Sequence, residues 1–253
     1  MYKRQVPDPR LTLILSKSQA WVQGKDGAEE WKGVPNGLPV TELSLPEYDN
    51  NHNSCIWGYM WGYDWNSAEK GDNISKPKTD ADFTPLGLMN YSEVCFLKAE
   101  AALRGWQGAG DAKTNYENGI RASFEEMRAN APKDSYSKSN DDKYISEGNV
   151  AWNNADSFEA KLEKIITQKW IGIYPNSEEA WAEFRRTGYP KLNPVKQSLE
   201  PTINPKNGEF IKKLRYVDNE LSNNKEYATD PTLNGGQGDG LSVRVWWDTA
   251  RYK

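Results

Sequence analysis

The chain has 253 residues, of which 37% are hydrophobic and 27% charged, and its formal net charge is −4 at pH 7. This length suits one large domain or two small ones with a real core. The negative net charge and the scattered Lys and Arg argue against a nucleic-acid-binding protein. No apolar run approaches the roughly 18 residues of a membrane-spanning helix. The single histidine, His52, excludes a His-rich metal site.

The sequence over residues 6–90 predicts a loop-rich insertion. Proline and glycine recur throughout it, and Leu11–Leu15 is its one convincing strand-like run. A stretch this long and irregular needs a folded scaffold beneath it. Long loops on a scaffold often carry function, so candidate binding residues are expected here.

Two helical hairpins are predicted over residues 91–190. The first pairs helices over 91–104 and 112–128, with Asp111 as the N-cap of the second helix. The other hairpin pairs helices over 157–174 and 177–187. Helix pairs with small residues at close approach are typical of tetratricopeptide (TPR) repeats.

The remaining segments are predicted to be mostly irregular. Residues 130–154 form a polar linker, and residues 191–253 form an irregular C-terminal segment. Within that segment we expect strands over 210–216 and 241–247 and a short helix over 221–229.

An alternating aromatic run is the most informative segment of the sequence. If it is extended, all of its rings lie on one side. Such a row of rings either covers the helical scaffold or forms a platform on which sugar rings stack. Trp246 is a weaker candidate for the same role. The rings of the run are those of Trp57, Tyr59, Trp61, Tyr63 and Trp65.

No catalytic or cofactor motif appears in the sequence. The loop Gly235–Gly240 lacks the Gly-Lys-Ser/Thr ending of a phosphate-binding loop. Cys55 and Cys95 show no metal-ligand spacing, and they form either a disulfide or two buried thiols. No serine-nucleophile or zinc-protease motif is present, and no carboxylate pair stands out. We therefore expect no enzyme activity, no metal and no cofactor.

Six motif-like segments follow one another along the chain. They are Asp8–Leu11, Trp31–Gly37, Leu88–Ala101, Phe184–Pro190, Lys213–Glu220 and Arg244–Asp248. In this order they resemble motifs of the SusD/RagB family of outer-membrane lipoproteins, and the resemblance covers nearly the whole chain after Gln5. It implies a mainly α fold, a SusD-like α–α superhelix of TPR-like hairpins with long irregular loops and a few short strands.

The resemblance also implies a location and partners. Members of the family are anchored to the extracellular face of the outer membrane by a lipidated N-terminal Cys, which we expect in the N-terminal half of the full-length protein. They bind a nutrient, commonly an oligo- or polysaccharide, and act with a SusC-like TonB-dependent transporter. We expect residues 1–253 to be a single C-terminal region of such a protein. Tyr2–Gln5 matches one reading frame of a transposon end used in sequencing libraries, so we expect Met1–Gln5 to be foreign.

Two other functions stay open at this point, namely a glycan hydrolase or lyase fragment and a helical-repeat adaptor for protein partners. Aromatic residues concentrated in loops favour glycan binding over both. Glu93 and Glu100 lie on one face of the first predicted helix. We expect these two carboxylates to hold the fold together rather than to act as an acid and a base.

Overall fold

The computed structural model describes residues 7–15, 17–48, 52–54, 87–129, 138–228, 230–232 and 236–248. All regular structure within these residues is helical, as the mainly α prediction requires. Short 3₁₀ turns occur at Pro46–Tyr48 and Pro205–Asn207. The α-helices are α1 (Leu11–Ile14), α2 (Gln19–Val22), α3 (Val40–Leu43), α4 (Tyr91–Leu103), α5 (Ala112–Ala129), α6 (Asp141–Ser146), α7 (Phe158–Gly172), α8 (Ser177–Thr187), α9 (Asp218–Asn223) and α10 (Lys225–Ala228).

The chain divides into two compact units. The first comprises Met1–Val34 and Ser44–Ser177, and the second comprises Pro35–Leu43 and Glu178–Lys253. Helices α4 to α7 belong to the first unit, and nearly all of α8 belongs to the second. The expectation of a single functional region over residues 1–253 stays a prediction.

The core of the first unit lies between α4, α5 and α7. Helix α4 packs against α5, as predicted for the first hairpin, and α7 packs against both. A Cβ atom at Gly119 would lie 2.7 Å from a ring carbon of Phe96, so this glycine permits the close approach of α4 and α5. The fully buried apolar side chains at these contacts include Phe96, Tyr116, Ile120, Phe124, Leu162 and Ile165.

The helix ends follow local capping signals. The Asp111 carboxylate accepts a hydrogen bond from the Thr114 amide at 2.8 Å, as predicted for an N-cap. The Ser157 hydroxyl caps α7 by accepting from the Ala160 amide at 3.2 Å. Because α7 and α8 fall in different units, the pairing of these two helices as a second hairpin stays a prediction.

The predicted strands are absent from the described residues. Leu11–Leu15 was expected to be extended, but α1 forms there because the Asp8 carbonyl accepts from the Leu11 amide at 3.0 Å and starts a helical turn. The segments 210–216 and 241–247 meet at a single carbonyl, that of Leu241, which accepts from the Lys212 and Lys213 amides. One shared acceptor cannot make a ladder, so neither segment becomes a strand.

Two short helical regions also differ from the sequence predictions. The segment 130–154, expected to be a polar linker, contains α6, whose Tyr144 and Ile145 side chains are buried. The short helix expected over 221–229 begins earlier and is divided into α9 and α10. In α6 the two buried side chains fix a helix in a segment of largely polar composition.

Candidate functional site

The predicted aromatic platform falls largely outside the described residues. Trp57, Tyr59, Trp61, Tyr63 and Trp65 all lie there, so their role as platform or core stays a prediction. Trp246 is described, and 91% of its surface is exposed. Its neighbour Trp247 is half-buried. Trp246 therefore presents an indole to solvent, as a ligand-stacking residue would.

The two glutamates singled out in the first predicted helix are held in ion pairs. Glu93 lies 3.7 Å from the Lys169 ammonium of α7, and both side chains are buried. Glu100 binds Arg104 of its own helix at 2.8 Å. These contacts fit the structural role that the sequence predicted for both carboxylates.

A buried cation at the centre of the first unit has a complete set of partners. The Arg10 guanidinium donates to both carboxylate oxygens of Asp8, at 2.9 and 2.7 Å. It also donates to Ser123 of α5 at 3.0 Å, to Tyr144 of α6 at 3.2 Å and to Gln168 of α7 at 2.6 Å. Arg10 thus joins three helices to the N-terminal segment.

The ionisation of this cluster follows from these bonds. Burial raises the pKa of Asp8, but the charge and hydrogen bonds of Arg10 outweigh it and hold that pKa below its ordinary value. Burial also raises the pKa of Tyr144 to about 12. The cluster is therefore an ion pair with a neutral phenol that donates to Asp8 at 2.8 Å. The charges and hydrogen-bonding groups of this cluster pair with one another, so the cluster needs no ligand.

The second unit contains a pocket of about 400 Å³ with aromatic and basic walls. We call it the basic pocket. The rings of Phe184 and Phe210 meet edge to face with centroids 5.0 Å apart. Arg185, Lys212 and Arg244 contribute positive charge to its lining. A cavity of this size lies in the range of small-ligand sites, which is about 300–1,000 Å³.

Arg185 is positioned in this pocket by aromatic stacking. Its guanidinium carbon lies 3.7 Å from the ring centroid of Trp181 and 4.8 Å from that of Trp247. Its Nη1 donates to the Lys212 carbonyl at 3.2 Å. Its Nε is buried without a hydrogen-bond partner. The two indoles fix the guanidinium plane without neutralising its charge.

One buried carboxylate balances the other two cations. Asp248 accepts from Arg244 at 2.5 Å and lies 3.5 Å from the Lys212 ammonium. Glu209 is the acidic residue of the pocket lining, and its carboxylate accepts from the Asn204 amide at 2.6 Å. Lys191 adds a fourth cation to the lining. Among the described residues, the pocket lining and Asp248 together contribute four cations and two carboxylates.

The pKa values of two of these cations are lowered mainly by burial. Burial lowers the pKa of Arg185, and the charge of Asp248 offsets only part of that effect. Burial also lowers the pKa of Lys212, and Arg244 lowers it further against the opposing effect of Asp248. Both cations would therefore gain from an additional anion nearby.

The basic pocket was not predictable from the sequence. Its basic residues come from α8, from the segment around residue 212 and from the C-terminal segment, so no local spacing joins them. The only signal was that Arg185 lies four positions after Trp181 in an amphipathic helix, which allows stacking on the same helix face.

Other kinds of site were also sought within the described ranges. No cluster of three or more His, Cys, Asp or Glu with metal-binding geometry occurs there. None of the helices in that part of the chain is long and apolar enough to span a bilayer. Cys95 is a buried free thiol, and Cys55 lies outside the described residues.

Comparison with known proteins identifies the family. The family model for SusD-like proteins, described as SusD and RagB outer membrane lipoprotein, matches residues 42–248. The chain belongs to the SusD-like family. The resemblance stated from the sequence motifs is thereby confirmed, and the matched region includes α4 to α10 and the basic pocket.

Solved SusD-like structures share the fold. A chitin-binding SusD homologue from Flavobacterium johnsoniae is 30% identical with a TM-score of 0.68, and the match covers 96% of this chain and 47% of that one. A SusD homologue from Bacteroides ovatus is also 30% identical with a TM-score of 0.68, covering 95% of this chain and 49% of that one. A SusD-like protein from Bacteroides thetaiotaomicron is 27% identical with a TM-score of 0.65, and the match covers 95% of this chain and 47% of that one.

These matches span only part of each relative. The chain covers about half the length of the solved SusD-like proteins that it resembles. No match was found among curated proteins.

Proposed function

We propose that this chain is part of a cell-surface protein that binds a glycan nutrient and delivers it to a SusC-like TonB-dependent transporter. The observation that carries the proposal is the SusD-like match over residues 42–248. The similarity over 96% of the chain to a chitin-binding SusD homologue supports a saccharide as the ligand.

The aromatic residues supply a physical basis for saccharide binding. Stacking one sugar face on an indole removes roughly 40 Å² from water on each partner, which contributes about 1–2 kcal/mol. Two or three such contacts, less the cost of association, give dissociation constants of order millimolar to tens of micromolar. Trp57, Trp61 and Trp65 are the proposed stacking residues, and Trp246 is a fourth.

The chain does no chemistry of its own in this proposal. Retardation of the protein in gels that contain a polysaccharide tests binding, and an assay for new reducing ends tests catalysis. Binding without new reducing ends is expected. New reducing ends would favour a hydrolase, and a new unsaturated product would favour a lyase. If no glycan retards the protein, the result would favour a helical-repeat adaptor for protein partners.

Replacement of Trp61 by Ala tests the proposed platform. Glycan affinity should fall by about 1–2 kcal/mol, roughly 5- to 30-fold, while the melting temperature stays nearly unchanged. Trp106→Ala, at an indole that is 68% exposed in the first unit, is the matched control and should leave affinity unchanged. A loss of about 3–5 kcal/mol in unfolding free energy for Trp61→Ala would place that ring in a core instead.

Membrane location and the transporter partner belong to the same proposal. The family description is of outer-membrane lipoproteins, and we infer that a lipid anchor holds the full-length protein at the extracellular face. Protease treatment of intact cells should degrade the full-length protein, and a TonB-dependent transporter should co-purify with it. Protection from protease on intact cells would contradict the location.

A further inference from the structure

We propose that the basic pocket binds a carboxylate or sulfate group of an acidic sugar, so that the nutrient is an anionic glycan. This inference rests on the proposed function and names the ligand class more closely. It is carried by the charge and hydrogen-bond state of the described residues 184–248, which lie in one compact unit.

Arg185 differs from Arg244 and Lys212 in how its charge is compensated. Asp248 is shared by Arg244 and Lys212, and no ion pair joins Arg185 to a carboxylate in the part of the chain that the structure describes. Arg185 is half-buried, so its charge is only partly solvated while no carboxylate of these residues pairs with it. An anionic ligand in the pocket would supply the compensating negative charge.

The guanidinium of Arg185 is also held in a defined orientation. Trp181 and Trp247 hold the guanidinium plane by stacking, with centroid distances of 3.7 and 4.8 Å. The buried Nε of Arg185 has no acceptor. A guanidinium with a fixed plane and unused donors matches the paired oxygens of a carboxylate or sulfate.

The basic pocket also has room and apolar surface for more than the anionic group of a ligand. The pocket volume of about 400 Å³ exceeds what a bare inorganic ion needs, and the Phe184 and Phe210 rings lie beside the cations. Apolar ring surface next to anion-binding groups suits a pyranose that carries a charged substituent. The pocket therefore fits a charged sugar better than a free ion.

The test compares charged oligosaccharides with neutralised partners by isothermal titration. Tri-galacturonate is paired with its methyl ester, and a sulfated galactose oligosaccharide is paired with its desulfated form. At least one charged probe should bind about tenfold or more tightly than its partner at low salt. The two pairs distinguish carboxylate from sulfate, and higher ionic strength should reduce the preference.

Variants then assign the preference to the pocket. Arg185→Gln should reduce the preference for the charged probe to about twofold or less. Arg244→Gln, at a side chain that is 36% exposed, tests the same pocket if Arg185→Gln fails to fold. Arg215→Gln removes the same charge from an exposed side chain of the same unit outside the pocket lining, and should keep the preference.

The outcomes separate the inference from the proposed function. If neutral and charged probes bind equally, or if Arg215→Gln abolishes the preference as well as Arg185→Gln does, the inference is wrong while glycan binding stands. If no saccharide of any kind binds, the proposed function fails and the inference fails with it.

Discussion

Two arginines, one in each unit, occupy opposite electrostatic situations. Arg10 is fully buried and bonded to Asp8 and to polar groups of three helices. Arg185 is held between two indoles, has one hydrogen bond to a carbonyl and leaves its buried Nε unused. The pKa of Arg185 is lowered by burial, whereas Asp8 outweighs burial and raises the pKa of Arg10.

The difference separates a structural charge from one that is available to a ligand. Asp8 neutralises the charge of Arg10 within the protein, so removal of either member of this pair leaves the other without its counter-charge. Around Arg185 the protein orients the guanidinium but places no carboxylate of the described residues in an ion pair with it. A site that recognises an anion needs this second arrangement, because a cation already neutralised by the protein has little to offer a ligand.

The largest expected effect is on the first unit. Arg10→Met should lower the free energy of unfolding by about 3 kcal/mol, because the partly buried Asp8 would lose its cation and three helices would lose their shared partner. Chemical denaturation measures this loss. Arg121→Met, which breaks only the exposed pair with Asp142, is the control and should cost less than about 1 kcal/mol. Equal effects of the two substitutions would contradict the central role of Arg10.

The same cluster predicts a pH dependence. The pKa of Asp8 is lower in the folded protein than its ordinary value of about 3.9, so its stabilising effect is present above that value. The effect is lost as the pH falls through the folded pKa. Asp8→Asn should therefore be less stable than the parent by about 1–3 kcal/mol at pH 7.

Denaturation of both proteins from neutral to acidic pH measures this dependence, and the stability difference should shrink below about pH 4. A difference that stays constant across that range would show that Asp8 is not ionised in the folded protein.

A smaller loss of stability is expected in the second unit. Arg185→Met removes a cation stacked on Trp181 and Trp247, an interaction of about 0.5–2 kcal/mol. It also removes a buried Nε that has no partner, which offsets part of that loss. The unfolding free energy should fall by less than about 2 kcal/mol. A loss as large as that of Arg10→Met would remove the contrast between the two arginines.

The smallest effect on stability is expected at Trp246. Because 91% of its surface is exposed, Trp246→Ala should change the unfolding free energy by less than about 0.5 kcal/mol. If its indole stacks on a sugar, glycan affinity should nevertheless fall about fivefold, or about 1 kcal/mol. Titration of parent and variant with the same oligosaccharide measures this, and unchanged affinity would remove Trp246 from the site.

The helices of the fold were largely predictable from local sequence. Helices α4 and α5 lie within one residue of the predicted ranges 91–104 and 112–128, and α8 matches 177–187. Their caps and apolar stripes are encoded within one or two turns. Helix α1 was mistaken for a strand because its apolar run is short, and a short run carries no reliable periodicity.

The candidate site was much less predictable. The buried partners of Arg10 are up to 158 positions away, at Gln168, and sequence alone cannot join them. The Arg185 cluster likewise depends on Lys212, Arg244 and Asp248 meeting in space. The order of the sequence motifs did predict the family. It did not show which of these residues meet in space.

The most direct test of the contrast follows the Nε–H signals of the two arginines in ¹H–¹⁵N spectra. Arg10→Lys and Arg185→Lys assign the two signals. The Nε of Arg10 donates to Asp8 at 2.9 Å, so its signal should stay unmoved when the tighter-binding acidic oligosaccharide is added. The Arg185 signal should shift with the ligand until saturation. A stationary Arg185 signal at saturation, or equal shifts of both signals, would contradict the account.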